Sequence, residues 1–404
     1  MMQFNPIITH PTCYDIENFA PVVIDKNLLR RVKVDYDILP QIERELVEGS
    51  VWYRRLFEAR ALNPLELYYE SETDVEEELL IHNYTGICPT NVMEVSPSSG
   101  SCSVGCQYCL VTNGKHVERI TVLRNYAERL TNSLLRNRGK RIFYYFSPKT
   151  EAFSDPLLYS GIAHDILRSF IRHFDKYPDS NIRLFIATKA GSRHFDIKHK
   201  GESVIDLISK FAPYVQVNGS IGIMPQYLRN ILEPNAAEIN ERLYLLCNLR
   251  EKGVWAKSLL CQPLFLPYLT EKSIGEFMKT LYAAGVRNIK PEFFTAEIRN
   301  IVLIAQYINH FDRDKLGEFL YPYLSGSNQD HIKQNSRLAP AKEACIDKLS
   351  LICAAAEENG ITVSICNWVK RELGSIADWV NRIDTESYYN GYRCLGYQTK
   401  LFSK

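Results

Sequence analysis

The sequence predicts an α/β protein, a partial (β/α)6 barrel with an N-terminal helical extension and a C-terminal cap. From about residue 90, short apolar runs alternate with amphipathic helical segments, the pattern of β/α units around a parallel sheet. Six such units follow one another, which suits an open barrel better than a closed eight-stranded one. A doubly wound open sheet remains an alternative, because strand order cannot be read from one sequence.

The composition is that of a globular protein. Of its 404 residues, 46% are hydrophobic and 24% are charged, and the formal net charge is +1. This balance gives no bulk attraction to nucleic acid or to a membrane surface. No apolar run reaches the length of about 18 residues that a membrane span needs, and the start lacks the pattern of a secretory leader. We therefore expect a cytoplasmic location.

Three regions are predicted along the chain. Residues 1–88 hold helical patterns and an acidic stretch, and we interpret them as an N-terminal extension. Residues 89–300 carry the alternating units of the barrel. Residues 301–404 contain helices, a strand-like run and a tyrosine-rich tail, and we expect them to cap the open side of the sheet.

The elements of the barrel follow from their hydrophobic patterns. The predicted strands are short apolar runs, at residues 91–97, 141–147, 181–189, 214–223, 254–265 and 288–294. The segments between them have helical periodicity, at residues 119–137, 157–174, 203–211, 236–253 and 270–285. The last two helical segments end at glycine, a common C-terminal stop.

Three cysteines stand directly after the first predicted strand. The segment SGSCSVGCQYCLV places Cys102, Cys106 and Cys109 in a loop rich in glycine and serine. Functional residues of parallel sheets lie just past the C-terminal ends of the strands. Thiolates are the preferred ligands of iron–sulfur clusters, and three can hold a four-iron cube whose fourth iron takes an outside ligand. We therefore predict a [4Fe–4S] cluster here.

Zinc is the main alternative for these thiols. A structural zinc site uses four ligands, usually in two paired knuckles, and the sequence contains no second C-x2-C pair. His116 could supply a fourth ligand, although its offset from Cys109 matches no standard zinc finger. Three thiols that bind no metal are the remaining alternative.

The triplet, with Tyr108 before its last cysteine, resembles the signature of the radical S-adenosylmethionine (SAM) superfamily. The resemblance implies that SAM binds the open iron through its amino and carboxylate groups. One electron, from a flavodoxin- or ferredoxin-type donor, would cleave the sulfonium. The resulting 5′-deoxyadenosyl radical would abstract hydrogen from a substrate, while the protein orients the cofactors.

Polar residues at the ends of later strands are candidates for holding the methionine part of SAM. Asp155 could pair with the ammonium group beside Ser154, and Lys189 could meet the carboxylate. Ser220 lies in the fourth predicted strand, and Arg242 lies on the helix before the fifth.

Each of these candidates also has a structural interpretation. Ser154 and Asp155 could cap a helix that begins at Pro156. Lys189 could be a solvated loop lysine, and Ser220 could ease a tight strand end. Arg242 could pair with a glutamate one turn earlier on its own helix, at position 238.

The same residues resemble the spore photoproduct lyase branch of the superfamily over residues 90–295. That branch has a Ser-Asp pair, a Thr-Lys pair and a Glu…Glu-Arg-Leu helix, matched here by Ser154-Asp155, Thr188-Lys189 and Glu233…Glu241-Arg242-Leu243. However, Ala152 stands where those lyases carry their hydrogen-donor cysteine. Cys366 and Cys394 are the candidate replacements as catalytic donors, with burial as small apolar side chains as the alternative.

We expect an enzyme that acts on a small molecule, such as a nucleoside, a sugar or an amino-acid-derived metabolite, in a specialised biosynthetic pathway. Its reaction could be that of a lyase, an isomerase or an oxidoreductase. The near-zero charge argues against nucleic acid as a partner, and no membrane partner is expected. The alternatives are a nucleic-acid lesion lyase with a relocated hydrogen donor and a non-catalytic iron–sulfur or zinc module.

Overall fold

The structure is a computed structural model that describes residues 68–71, 81–83, 92–100, 102–109, 120–254, 258–324 and 338–364. Three residues singled out in the sequence, His116, Cys366 and Cys394, lie outside these ranges. Most of the predicted N-terminal extension also lies outside them.

The strands, in chain order, are β1 Tyr68–Ser71, β2 His82–Asn83, β3 Val92–Val95, β4 Ser98–Gly100, β5 Ile120–Leu123, β6 Ile142–Phe146, β7 Ile182–Thr188, β8 Lys198–His199, β9 Glu202–Ser203, β10 Val215–Ser220, β11 Ser258–Leu264, β12 Asn288–Phe293 and β13 Thr362–Val363. The large sheet has the order β13-β12-β11-β10-β7-β6-β3-β2. The remaining strands form a sheet of β1, β5 and β4 and a pair of β8 and β9.

The helices are α1 Tyr126–Arg136, α2 Asp155–Tyr159, α3 Ile162–Lys176, α4 Ser192–Phe195, α5 Val204–Ser209, α6 Gln226–Leu232, α7 Ile239–Glu251, α8 Glu271–Ala283, α9 Ile298–Phe311, α10 Leu316–Leu324 and α11 Lys342–Glu358. Short 3-10 turns cover Ala212–Tyr214, Leu266–Tyr268 and Arg313–Lys315. Within the described ranges, no helix is long and apolar enough to cross a bilayer.

The α/β prediction with a parallel sheet is confirmed. All six predicted strands belong to the large sheet as β3, β6, β7, β10, β11 and β12, and each pairs in parallel with its neighbour. The order of these strands follows the chain without reversal. A doubly wound sheet reverses its order at a switch point, so that alternative does not fit.

Two predicted helices differ from the structure. The pattern over residues 119–137 predicts one helix, but its first part forms β5 and α1 begins only at Tyr126. The run Ile-Thr-Val is β-branched, which favours an extended backbone. The segment 157–174 is divided between α2 and α3 at Gly161, whose φ of 78° ends one helix before the next begins.

The segment 338–364 continues the alternation of helix and strand. Helix α11 confirms the helical pattern there, and β13 pairs in parallel with β12 at the edge of the large sheet. This segment falls within the region interpreted as a C-terminal cap, whose last forty residues lie outside the described ranges. The division of the chain into three regions stays a prediction.

The two faces of the large sheet differ in chemistry, because successive residues of a strand point to opposite faces. One face packs on the helices in the main apolar core, through Tyr144, Phe146, Leu184, Ile186, Val215, Val217, Leu259 and Ile289. The other face carries Glu94, Gln216, Asn218 and Lys290, which are all buried as well.

Gly222 follows β10 and passes close to the backbone of β11. A Cβ atom at Gly222 would lie 2.3 Å from the carbonyl oxygen of Pro263, whereas a Cβ at Gly275 in α8 would meet no atom within 4 Å. We expect Gly222→Ala to lower the free energy of unfolding by about 1–3 kcal/mol, because the added methyl group overpacks the site. Gly275→Ala should raise it by about 0.5–1 kcal/mol. Chemical denaturation measures both, and equal effects at the two positions would contradict this packing.

Candidate functional site

A cavity of about 340 Å³ lies at the C-terminal ends of the strands of the large sheet. Thr188, Ser220 and Phe293, the last residues of β7, β10 and β12, line it together with the cysteine loop. This is the end of a parallel sheet at which functional sites form. The position predicted from the sequence is therefore where the structure has its cavity.

The three cysteines of the triplet all line this cavity. Two short turns shape their loop: the N–H of Gly105 donates to the Cys102 carbonyl, and the N–H of Cys109 donates to the Cys106 carbonyl, both at 3.1 Å. Gly105 has a φ of 67°, a left-handed conformation that glycine adopts without strain. The loop thereby brings all three cysteines to the cavity.

The cysteine loop is attached to the end of α6. The N–H of Gln107 donates to the Leu232 carbonyl at 2.8 Å, and the side-chain amide of Asn235 donates to the Ser103 carbonyl at 2.9 Å. These bonds place the residue that follows α6, Glu233, next to the loop. Sequence reasoning did not identify α6, although it carries part of the site.

The thiols are suited to iron–sulfur ligation by their chemistry. Burial raises the pKa of Cys102 to about 12 and also raises the pKa of Cys106, so bound iron would have to displace their protons. No group of three or more His, Cys, Asp or Glu side chains in the described ranges is already arranged to hold a metal ion. In a cluster, however, each thiolate binds a different iron. Three cysteines that line one cavity fit that donor set.

Glu233 is the centre of a charged hub beside the cysteine loop. Its carboxylate accepts a hydrogen bond from the Tyr108 hydroxyl and pairs with Arg242 at 2.7 Å, Lys189 at 3.3 Å and Arg229 at 3.7 Å. Burial alone would raise the pKa of Glu233. The charges of the three cations outweigh it and hold that pKa well below its usual range.

The hub has more positive than negative charge. Three cations surround one carboxylate, and little water screens them, because Arg229 and Arg242 are buried and the Lys189 side chain is only 13% exposed. Lys189 also donates to the Ser220 hydroxyl at 2.8 Å and lies 5.7 Å from the centre of the Tyr108 ring. This excess would stabilise an anionic group in the cavity, such as a thiolate-bound cluster or a carboxylate.

Glu151 follows β6, the second predicted strand, and lines the cavity. It accepts hydrogen bonds from the Thr188 hydroxyl at 2.5 Å and from the backbone N–H of Lys189 at 2.7 Å. The sequence prediction that Asp155 pairs with the ammonium group of SAM stays a prediction. The signal that could have identified Glu151 is its closer position to the end of β6.

The structure brings some predicted residues together and not others. Tyr108, Lys189 and Ser220 line the cavity with the cysteines, whereas Ser154 and Asp155 are not among the described residues that line it. Ser154 precedes α2 and Asp155 begins that helix. Burial raises the pKa of Asp155, against an opposing effect of the His194 charge.

Arg242 bonds to the end of β10, a strand whose last residue lines the cavity. It does not pair with Glu238, as its structural interpretation proposed, but with Glu233, and it donates to the carbonyls of Ser220 at 2.8 Å and Ala237 at 2.6 Å. It is not among the described residues that line the cavity. Its contacts therefore fix the end of β10 and orient the hub.

Comparison with known proteins supports one class of enzyme. No protein-family model matches the chain. The sequence is similar to a protein of Pseudomonas phage M6 named radical SAM Nalpha-GlyT isomerase, with 22% identity over 213 residues. The matched region is 52% of this chain and 41% of that relative, so the similarity spans less than half of the relative's length. It supports an enzyme of the radical SAM type and does not single out the spore photoproduct lyase branch.

Proposed function

We propose that this protein is a radical SAM enzyme that binds one [4Fe–4S] cluster through Cys102, Cys106 and Cys109. The observation that carries the proposal is that these thiols line one cavity together with the Glu151 carboxylate and the Lys189 ammonium group. Thiols suit the irons, a carboxylate suits the ammonium group of SAM, and a lysine suits its carboxylate. When bound, the two cofactors supply a 5′-deoxyadenosyl radical for hydrogen abstraction.

Each residue of the site then has a role in binding or orientation. Glu151, held by the Thr188 hydroxyl and a backbone N–H, would receive the ammonium group. Lys189 and Ser220, already bonded to each other, would receive the carboxylate. Glu233 and Arg242 are positioning residues, because they hold Lys189 and the end of β10 in place.

The sequential strand order supports a partial barrel as the finer form of this α/β fold. In such a barrel the polar face of the sheet is the interior, and the cavity is its mouth. The residues of that face that line the cavity, among them Tyr145, Ala187 and Ser220, would then belong to a substrate site, while the apolar face packs on the outer helices.

The substrate that we propose is a small molecule of the nucleoside, sugar or amino-acid-derived kind. The near-neutral charge of the chain supports this choice over a nucleic acid. Isomerisation of the substrate is the candidate reaction, because the phage relative is named an isomerase. A lesion lyase would need a relocated hydrogen donor, since Ala152, which has no thiol, stands where spore photoproduct lyases carry their donor cysteine.

Anaerobic reconstitution tests the proposed function. The wild-type protein should become brown, take up about four irons per chain and release 5′-deoxyadenosine from SAM when dithionite supplies the electron. A protein that stays colourless, or that binds zinc and leaves SAM intact, would refute it.

A further inference from the structure

We propose that Lys149 binds a carboxylate of the substrate, so that the substrate is a carboxylic acid, such as an amino-acid-derived metabolite, rather than a neutral sugar or nucleoside. The inference rests on the proposed function, because it names the substrate class of the same cavity. Lys149 follows β6 in the segment 147–151, and all five residues of that segment line the cavity. No role was assigned to it from the sequence.

The ammonium group of Lys149 is accessible to a ligand. The Lys149 side chain is 37% exposed, and its nitrogen forms an ion pair with one carboxylate oxygen of Glu94 at 3.3 Å. An ammonium group carries three N–H donors. Because one ion pair uses only part of this capacity, donors remain for an anionic group that enters the cavity.

A buried carboxylate holds Lys149 in place. Glu94 is 0% exposed, and the oxygen that pairs with Lys149 also accepts a hydrogen bond from the Ser96 hydroxyl at 2.7 Å. Ser96 in turn donates its backbone N–H to the Tyr126 hydroxyl at 2.8 Å. A lysine that is already oriented loses less side-chain entropy on binding than a free surface lysine does. Lys149 therefore differs from an ordinary lysine of the protein surface.

Strand pairing places the pair of Lys149 and Glu94 on the cavity side of the sheet. Glu94 of β3 pairs with Tyr145 of β6, and residues directly opposite each other in paired strands share a face. Tyr145 lines the cavity, as does Glu151, the proposed partner of the SAM ammonium group. A carboxylate bound to Lys149 would therefore share the cavity with SAM.

The charges of the cavity favour a carboxylate over a phosphate. Among the described residues that line it, Lys149 and Lys189 are the only cationic side chains. Lys189 is held by Glu233 and Ser220 and already has the carboxylate of SAM as its proposed ligand. One remaining lysine matches the single charge of a carboxylate, whereas a phosphate dianion is typically bound by more donors, such as arginine side chains or the N–H groups of a helix N-terminus.

N-acetylglycine and N-acetylglycinamide are the matched probes, because the amide replaces only the carboxylate by a neutral group of similar size. The reconstituted protein is saturated with SAM, without a reductant, so that Lys189 is occupied. Titration followed by NMR of the ligands should show that the acid binds at least about tenfold more tightly than the amide. Equal binding of both, binding of neither, or tighter binding of methyl phosphate than of the acid would overturn the proposal.

Variants distinguish a lysine that binds substrate from one that only neutralises Glu94. Lys149→Met with Glu94→Gln removes both charges, so no unpaired carboxylate stays buried. This double variant should bind the acid at least about tenfold more weakly than wild type. Lys149→Arg keeps the positive charge and should still bind the acid more tightly than the amide. A double variant that binds the acid as wild type does would overturn the proposal.

Lys315→Met is the matched control. Lys315 is 39% exposed and pairs with Glu318 at 3.2 Å, which is close to the exposure and the ion-pair distance of Lys149. It is not among the described residues that line the cavity. This variant should bind both probes like wild type, and a loss of acid binding equal to that of the double variant would overturn the assignment to Lys149.

The same samples separate this inference from the proposed function. Iron content, and release of 5′-deoxyadenosine once dithionite is added, report on the cluster and on SAM, and the double variant should leave iron content unchanged. Intact cofactor chemistry without selective binding of the acid would overturn the role of Lys149 alone. Selective binding that depends on Lys149, in a protein that takes up no cluster, would uphold that role and refute the proposed function.

Discussion

Replacing Cys102, Cys106 or Cys109 by alanine is expected to abolish both cluster binding and SAM cleavage. Each of these cysteines lines the cavity and would bind a different iron. The other described cysteines do not line the cavity, so none of them can replace a missing ligand. Iron content after anaerobic reconstitution should fall far below the wild-type value of about four per chain. Release of 5′-deoxyadenosine should fall to the background of the buffer, because the cofactors supply the chemistry.

Cys247 and Cys353 provide the matched controls for these variants. Both are free and partly buried, and neither is among the described residues that line the cavity. Alanine at either position should leave iron content and SAM cleavage at wild-type values. A triplet variant that kept its iron and its activity, or a control that lost both, would show that the cluster site has been assigned wrongly.

Replacing Glu233 by glutamine is expected to destabilise the protein more than any surface change. The substitution removes the carboxylate that Arg229, Arg242 and Lys189 share, and leaves these cations facing one another with little solvent. Removal of one partner from a buried ion pair costs about 3–5 kcal/mol. Glu318→Gln is the control: Glu318 pairs with Lys315 at 3.2 Å but is 44% exposed, so its loss should cost less than about 1 kcal/mol.

The pH dependence of the free energy of unfolding tests the Glu233 prediction separately. Because the folded-state pKa of Glu233 is depressed, its stabilising contribution is complete above its unfolded pKa of about 4.3. That contribution is lost as the pH falls from there toward the folded pKa. The stability gap between wild type and Glu233→Gln should therefore be constant from pH 7 to pH 5, and shrink in more acidic solution. A gap below 1 kcal/mol at pH 7, or one that widens on acidification, would contradict the charged hub.

Local patterns in the sequence were sufficient to predict six strands of the large sheet and several residues that line the cavity. Apolar runs of strand length located β6, β7 and β10, and the rule that sites follow strand ends led to Lys189 and Ser220. Cysteine spacing located the triplet without any knowledge of the sheet. Such features depend on neighbours in the chain, so one sequence contains them.

Other parts of the site depend on contacts between distant residues. Tyr108 meets Glu233 across 125 positions of the chain, and no periodic pattern indicates that pair. The hydrogen bonds that hold Glu151 at the cavity come from residues 37 and 38 positions later in the chain, and no local pattern indicates them.

Electron paramagnetic resonance of the reduced, reconstituted protein, recorded with and without SAM, tests the central claim most directly. If Cys102, Cys106 and Cys109 hold a four-iron cluster with one iron open to SAM, the reduced protein should show the signal of a [4Fe–4S] cluster, and SAM should change that signal. A cluster signal that SAM leaves unchanged, or the absence of any cluster signal from a protein loaded with zinc, would contradict it.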